Sequence, residues 1–359
     1  MEKITFKGTP SGKQFYEEVK QQVNQYFTDH KICPHANNEM RLKGLLFIAC
    51  WMVTWAMVIV WKDYFVLAVL MGVAHFTTHL LIAFNIAHDA NHGALFKSRR
   101  LNHVFGYFME LIGCNKQLWV IAHNQEHHTF INIHEHDNNV DGYKMLRFTP
   151  KDTWRSHHRF QHYYAGILYA LSTLNYATLR DFKLLARHIK LKKLKPDLPY
   201  LAGFLFFKLF YYTYLFVIPI MIFKVSFWIV LTYFLIGHMV NGLALVFVFL
   251  TGHLTEDAHY PDVADGEVAD NWAVHVVKTT SDYSPNSRWL HWLAGSLNLH
   301  VAHHLFPKIC HVHYKHITPI IKRVALKHGV AYKPAPTFGY AIASHFKLLK
   351  QLGRDEVVA

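Results

Sequence analysis

Eight histidines stand in three groups whose spacing suits metal ligation: "HDANH" with His88 and His92, "HNQEHH" with His123, His127 and His128, and "HVAHH" with His300, His303 and His304. On a helix, residues three or four apart share a face, so the imidazoles within each group can reach one ion. Any one group alone reads as a structural pair, but three together need another explanation. A catalytic zinc uses three protein ligands and an open position, which eight imidazoles exceed. They suit two metals with four or five nitrogens each, and imidazole accommodates iron, whose redox chemistry with dioxygen zinc cannot match. A competing pattern lies inside the second group. His123, Glu126 and His127 spell H-x-x-E-H, two zinc ligands and a base of a membrane peptidase. That reading needs only one further ligand and leaves two groups unexplained.

A ninth ligand is expected at His253 in "FLTGHLTE", and His275 in "WAVHVV" is a weaker candidate with a supporting role. A metal-bound imidazole commonly donates its other N–H to a carboxylate, and Asp89, Glu126, Asp137 and Glu256 lie near enough in sequence to accept. His75, His79 and His238 fall inside apolar runs. They could hold a haem, as in an electron carrier, but hydrogen bonding between helices is the plainer expectation.

The elements that must position these groups are legible in hydropathy. Four apolar segments, at 44–61, 64–87, 202–223 and 226–250, approach or exceed the length a bilayer requires. Lys62 and Asp63 alone separate the first two, and little more than Lys224 separates the others, so they pair as two hairpins. The remaining chain then lies on one face, and its cations, among them "KSRR" at 97–100 and "RHIKLKKLKP" at 187–196, place that face in the cytoplasm. The expected fold is an all-α membrane protein: four transmembrane helices under a cytoplasmic helical cap, 88–200 and 251–359, that holds the histidines. Residues 1–359 are expected to form one domain. Stretches 104–121 and 165–185 suit interfacial and ordinary amphipathic helices equally. The acidic stretch 253–271 reads as a loop.

Composition supports this picture, with 52% hydrophobic and 17% charged residues. The formal charge of +13 does not point to nucleic acid, because the aromatic residues sit in apolar runs rather than among Lys and Arg. A membrane surface is the fitting partner. Cys33, Cys50, Cys114 and Cys310 form no C-x-x-C, which argues against a thiolate zinc site or disulfide framework and fits a reducing compartment. The opening "MEKITFKGTP" does not read as a signal peptide, so the chain is taken as mature.

"HDANH", "HNQEHHTFIN" and "HVAHHLFP", in this order and between two apolar pairs, resemble the membrane fatty-acid desaturase family. The flanking "RFQHYYAGILYALSTL", "WAVHVVKTTSDYSPNS" and "FGYAIASHFKLLKQLG" resemble its bacterial acyl-CoA and acyl-lipid members, which include linoleoyl Δ6-desaturases. Those relatives often have glutamine where this chain has His300. The resemblance implies a non-haem di-iron centre held by His88, His92, His123, His127, His128, His300, His303 and His304, with His253 where the family has an extra ligand. It implies dioxygen as co-substrate, a long-chain acyl-CoA or acyl-lipid substrate, and two electrons from an external donor. Hydroxylases share this architecture, so a hydroxylated product stays open. No "HPGG" of a fused cytochrome b5 domain occurs, so the donor is expected to be a ferredoxin or a separate cytochrome b5-type protein. Arg187, Lys190, Lys192, Lys193 and Lys195 form the obvious docking surface for it, though the same cluster equally suits anionic lipid.

Overall fold

The computed structural model describes residues 4–140 and 144–354. It is mostly helical, and four helices are long and apolar enough to cross a membrane: Asn38–Val60, Phe65–Asn91, Leu198–Ile222 and Phe227–Leu250. The second runs past the expected 87 because the first histidine group continues its helix to Asn91. The third begins earlier than expected, at Leu198, where Pro199 needs no N–H partner and the Asp197 side chain accepts from Tyr200 N. Their outward faces are apolar, with Leu42, Leu45, Val66 and Leu209 each exposed over two thirds or more of their surface. An apolar face of that extent suits lipid rather than water.

The chain divides into two compact units. One comprises residues 38–120 and 166–246. Here the first two apolar helices pack together across the short turn between them, and aromatic residues of the third and fourth complete the core, among them Tyr211, Tyr214, Tyr233 and Phe234. Two glycines set the closest approach. A Cβ on Gly72 would collide with the Tyr233 ring, and one on Gly237 with the Phe76 ring, so each helix seats an aromatic on the other's glycine. The intramembrane histidines serve as ties between helices. His79 Nε2 lies 2.8 Å from the Tyr214 hydroxyl, and His75 Nδ1 lies 3.0 Å from the Trp51 carbonyl. Both nitrogens of His238 are engaged, by Tyr211 Oη at 3.1 Å and Thr173 Oγ1 at 3.1 Å. This is the use expected of polar groups that have no water to turn to.

Just outside the helices, Glu110 is buried in the same unit. Burial pushes its carboxyl up to about 7, with the Asp181 charge adding to the effect and the Lys116 N–H bond opposing it. A carboxyl whose folded pKa exceeds its ordinary 4.5 costs stability once ionised. The fold should therefore be most stable, as far as Glu110 is concerned, below its unfolded pKa, and lose about 3 kcal/mol as pH rises through the folded value. Thermal unfolding in detergent is expected to show Tm falling between about pH 5 and pH 8, and Glu110→Gln is expected to flatten that slope. An equal slope in both proteins would contradict the assignment.

The other unit comprises residues 4–37, 121–165 and 247–354 of the described chain. Its amino-terminal helix Pro10–Asp29 starts with Pro at the first turn, and the Thr9 side chain accepts from Gly12 N at 3.1 Å. Phe15, Val19, Val23 and Phe27, four residues apart, lay one stripe into a core with Val276, Ala302, Leu305, Ile317 and Ile321. Three two-residue strands flank it: Thr5–Phe6 runs parallel to Glu267–Val268, which pairs antiparallel with Val263–Ala264. That core backs the short helix His300–Leu305, whose buried histidines belong to the site.

Candidate metal centre

Three local devices present the histidines. Residues Ile121–His127 form a π-helix, and His128 N donates to His123 O at 2.9 Å across five residues. Another π segment, Ala83–Ala87, directly precedes His88. Such wide turns are rare and recur at functional sites. The α-helical i, i+4 spacing expected for His123 and His127 is thus realised with an extra residue per turn. The third device is Asp282, whose Oδ1 accepts from Val301 N at 2.9 Å and so fixes the start of His300–Leu305.

In the unit that carries the second and third groups, seven imidazoles converge. His253 Nε2 lies 2.9 Å from His300 Nε2 and 3.1 Å from His304 Nε2. One nitrogen each from His127, His253, His300 and His304 falls within 4.8 Å of the others. His128 Nε2 lies 3.2 Å from His123 Nε2 and 3.0 Å from His303 Nε2, and His128, His303 and His304 form a further convergent trio. All seven are buried.

The outward nitrogens decide the tautomers. His127 Nδ1 faces both Asp137 oxygens at 3.0 and 3.1 Å, His253 Nδ1 the Thr279 carbonyl at 3.1 Å, and His300 Nδ1 the Leu297 carbonyl at 2.8 Å. These oxygens only accept, so each Nδ1 carries a hydrogen and each Nε2 faces inward, with a lone pair to offer wherever the ring is neutral. Protons do not resolve the crowding. Burial above all pushes His253 down to about 3, and burial likewise holds His304 well below its ordinary value. Buried imidazole nitrogens aimed at common points, those of His253 and His304 held neutral, fit a cation, and the all-nitrogen donor set fits a divalent transition metal. His127 Nε2 makes no hydrogen bond among the described residues, as a ligand atom would.

In the other unit, His88 and His92 are buried with ring centroids 4.6 Å apart, and Trp119 packs against both at 5.7 and 5.8 Å. Asp89 Oδ1 lies 3.7 Å from His88 Nδ1.

The other candidates divide clearly. Asp137 holds His127. Glu126 is buried within the π-helix. Glu256 instead pairs with Lys347 Nζ at 3.3 Å, and its N–H donates to Ser344. His275 is buried with its ring 5.1 Å from Phe6, and burial pushes it down to about 4. Lys190, Lys192, Lys193 and Lys195 are exposed and Arg187 partly so. Three contributors have no readable signal in the sequence. Asp282 lies nineteen residues before the N–H that it accepts. Asn132 joins Asp137 through its N–H at 3.0 Å to the His253 carbonyl through its Nδ2 at 3.2 Å. Trp119 reaches the first group through ring contacts to His88 and His92, which no spacing in the sequence announces.

Gly252 marks how tightly the ring of His300 is held. A Cβ there would stand 2.6 Å from His300 Cδ2. Gly252→Ala is expected to swing that imidazole and weaken metal retention by about 10- to 100-fold, the effect typical of disturbing a ligand's orientation. Metal content after dialysis against chelator checks it, and parental retention would show that the ring is free to move.

A family model described as fatty acid desaturase matches residues 59–336. The chain is 33% identical over 345 residues to the sn-1 linoleoyl-lipid 6-desaturase of Synechocystis sp., covering 95% of this chain and 96% of that protein. It is 32% identical over 353 residues to the protein of the same description from Arthrospira platensis, covering 98% and 95%. Against the acyl-lipid (8-3)-desaturase of Physcomitrium patens, identity is 30% over 352 residues, covering 95% of this chain and 72% of the relative. Because the match runs from the end of the first apolar helix past the third histidine group, with identity sustained along nearly the whole chain, this protein belongs to the fatty acid desaturase family.

Proposed function

We propose that this desaturase holds two non-haem irons on His88, His92, His123, His127, His128, His253, His300, His303 and His304, and introduces a double bond into a long acyl chain carried by a membrane lipid. The observation that carries this is the inward aim of buried imidazole nitrogens whose Nδ1 atoms are anchored outward. Bound iron supplies the redox chemistry with dioxygen that breaking unactivated C–H bonds demands. Removing one hydrogen from each of two adjacent methylenes, with two electrons and two protons added from outside, reduces dioxygen to two waters. The chain's own residues keep the imidazoles oriented, with Asp137, Thr279 and Leu297 accepting the outer N–H groups.

The acyl-lipid substrate is the class named for the relatives from Synechocystis sp. and Arthrospira platensis. The electrons come from a separate small protein of ferredoxin or cytochrome b5 type. The surplus of cations in the segments outside the apolar helices supports a cytoplasmic position for the histidines.

The test is to compare fatty-acid methyl esters from host cells with and without the gene. A new unsaturated species is expected, lost when His127 is replaced by Ala. A hydroxylated product would sink the desaturation outcome, and an unsaturated product that survives in His127→Ala would sink the ligand assignment.

A further inference from the structure

Among the polar groups that the proposed chemistry does not use, one buried network stands apart. Lys208 lies within the third apolar helix, where an ionisable side chain needs a reason. Its Nζ meets Asp181 Oδ2 at 2.7 Å and donates to the Gly113 carbonyl at 2.6 Å. The same Asp181 oxygen accepts from Asn115 N at 2.6 Å. Asn115 Nδ2 donates to Glu110 Oε1 at 2.8 Å, and Lys116 N donates to that oxygen at 2.9 Å. Asn115 Oδ1 in turn accepts from Leu118 N at 3.1 Å and Tyr200 Oη at 3.2 Å. Asn115, Glu110, Asp181 and Lys208 are all buried.

Burying an ion pair is a poor way to gain stability, since desolvation offsets most of the attraction. What the network does achieve is to fix every polar group of one residue. Asn115 caps the short helix Lys116–Val120, and two carboxylates stand where its first N–H groups and positive dipole end point. One turn on, Trp119 N donates to Asn115 O at 3.0 Å. The indole stands nearly perpendicular to both the His88 and His92 rings, at interplanar angles of 73° and 74°. An indole in edge contact with both rings restrains how either imidazole can turn.

We infer that Asn115 is a positioning residue, which through Trp119 sets the orientation of the His88–His92 pair for its metal. This rests on the proposed ligand role of that pair. Asp181, Glu110 and Lys208 are the foundation that keeps Asn115 in place.

The experiment uses full-length protein in nanodiscs, freed of metal and titrated with cobalt(II), with occupancy read from its visible ligand-field bands. The parent is expected to bind two equivalents. Trp119→Ala is expected to weaken one of them by about 10- to 100-fold and leave the other unchanged, as for the loss of a ligand's outer support. Trp119→Phe restores a ring and should return close to parental affinity. Asn115→Ser is small and still able to cap, and should fall between the parent and Trp119→Ala. His88→Ala is the control and should lose the same equivalent outright. If His88→Ala loses it but Trp119→Ala binds both equivalents as the parent does, the positioning inference alone is overturned. Equal weakening of both equivalents in Trp119→Ala would also overturn it, because that is a general structural effect. Parental affinity in Asn115→Ser would remove Asn115 from the account. If His88→Ala keeps both equivalents, the ligand reading beneath the inference fails with it.

Discussion

Replacing His253 with Ala is expected to abolish product formation and strip iron from the purified protein, while His238→Ala keeps its metal. His253 Nε2 sits within 3.1 Å of two other imidazole nitrogens, and its Nδ1–H is already committed to the Thr279 carbonyl. Removing it takes away one of the four nitrogens that converge from His127, His253, His300 and His304. Losing an outer support of a ligand costs about 10- to 100-fold in metal affinity, so loss of the ligand itself should exceed about 100-fold. His238 is equally buried and equally a histidine, but its nitrogens face hydroxyls of Tyr211 and Thr173. Its loss should appear in stability, about 1–3 kcal/mol for the Tyr211 hydroxyl left without its partner, since the Thr173 hydroxyl keeps its bond to the carbonyl of residue 238. Iron content and methyl-ester analysis of both variants decide the matter. Equal iron loss from the two, or a fully loaded His253→Ala, would contradict the assignment.

Asp137→Ala should be the most damaging change among the carboxylates near the histidine groups. Asp137 receives His127 Nδ1 on both oxygens and also accepts from Asn132 N at 3.0 Å and Asn139 N at 2.9 Å. Burial pushes its carboxyl up, but His127 and those backbone N–H bonds together hold it below the ordinary range. The expected loss is about 10- to 100-fold in metal affinity, together with destabilisation from the buried Asn132 N–H and the part-buried Asn139 N–H left without this acceptor. Asp137→Asn keeps one accepting oxygen and should be milder. Glu256→Ala is the contrast, because Glu256 reaches outward to an exposed Lys347 and should leave metal content unchanged. Metal titration of the three variants tests the order. A Glu256→Ala protein as depleted as Asp137→Ala would show that the sequence neighbourhood, rather than the observed contact, sets the role.

That contrast shows where the sequence was readable. Long apolar runs and histidines at helical spacing are periodic signals, and they located the four helices and the groups that converge. Asp89, Glu126, Asp137 and Glu256 looked alike in sequence because nothing periodic selects among them. Asp137 reaches His127 through the turn 128–137, in which Asn132 and Glu135 adopt left-handed backbone angles, φ 55° and 65°. Asparagine tolerates that conformation well, but the direction of the resulting turn cannot be counted from spacing. The stretch 104–121 shows the same limit. It mixes apolar and polar residues as one amphipathic helix would, yet Gly113, at φ 81°, and the cap at Asn115 break it into short pieces. The π turns beside His88 and His123 carry no sequence signature of their own.

The glycine–aromatic exchange between the second and fourth apolar helices also bears on how the protein meets membranes of different thickness. Tyr233 sits on Gly72 and Phe76 on Gly237, each pair offset by one helical turn from the other. Sliding one helix along its neighbour would drive an aromatic ring into a side chain instead of a glycine, so these two rods have a single register. A hydrophobic mismatch is relieved either by shear between helices or by tilt. With shear blocked, a thicker or thinner bilayer must tilt the pair as one body or deform around it, and the spacing between the two helices stays the same in either case.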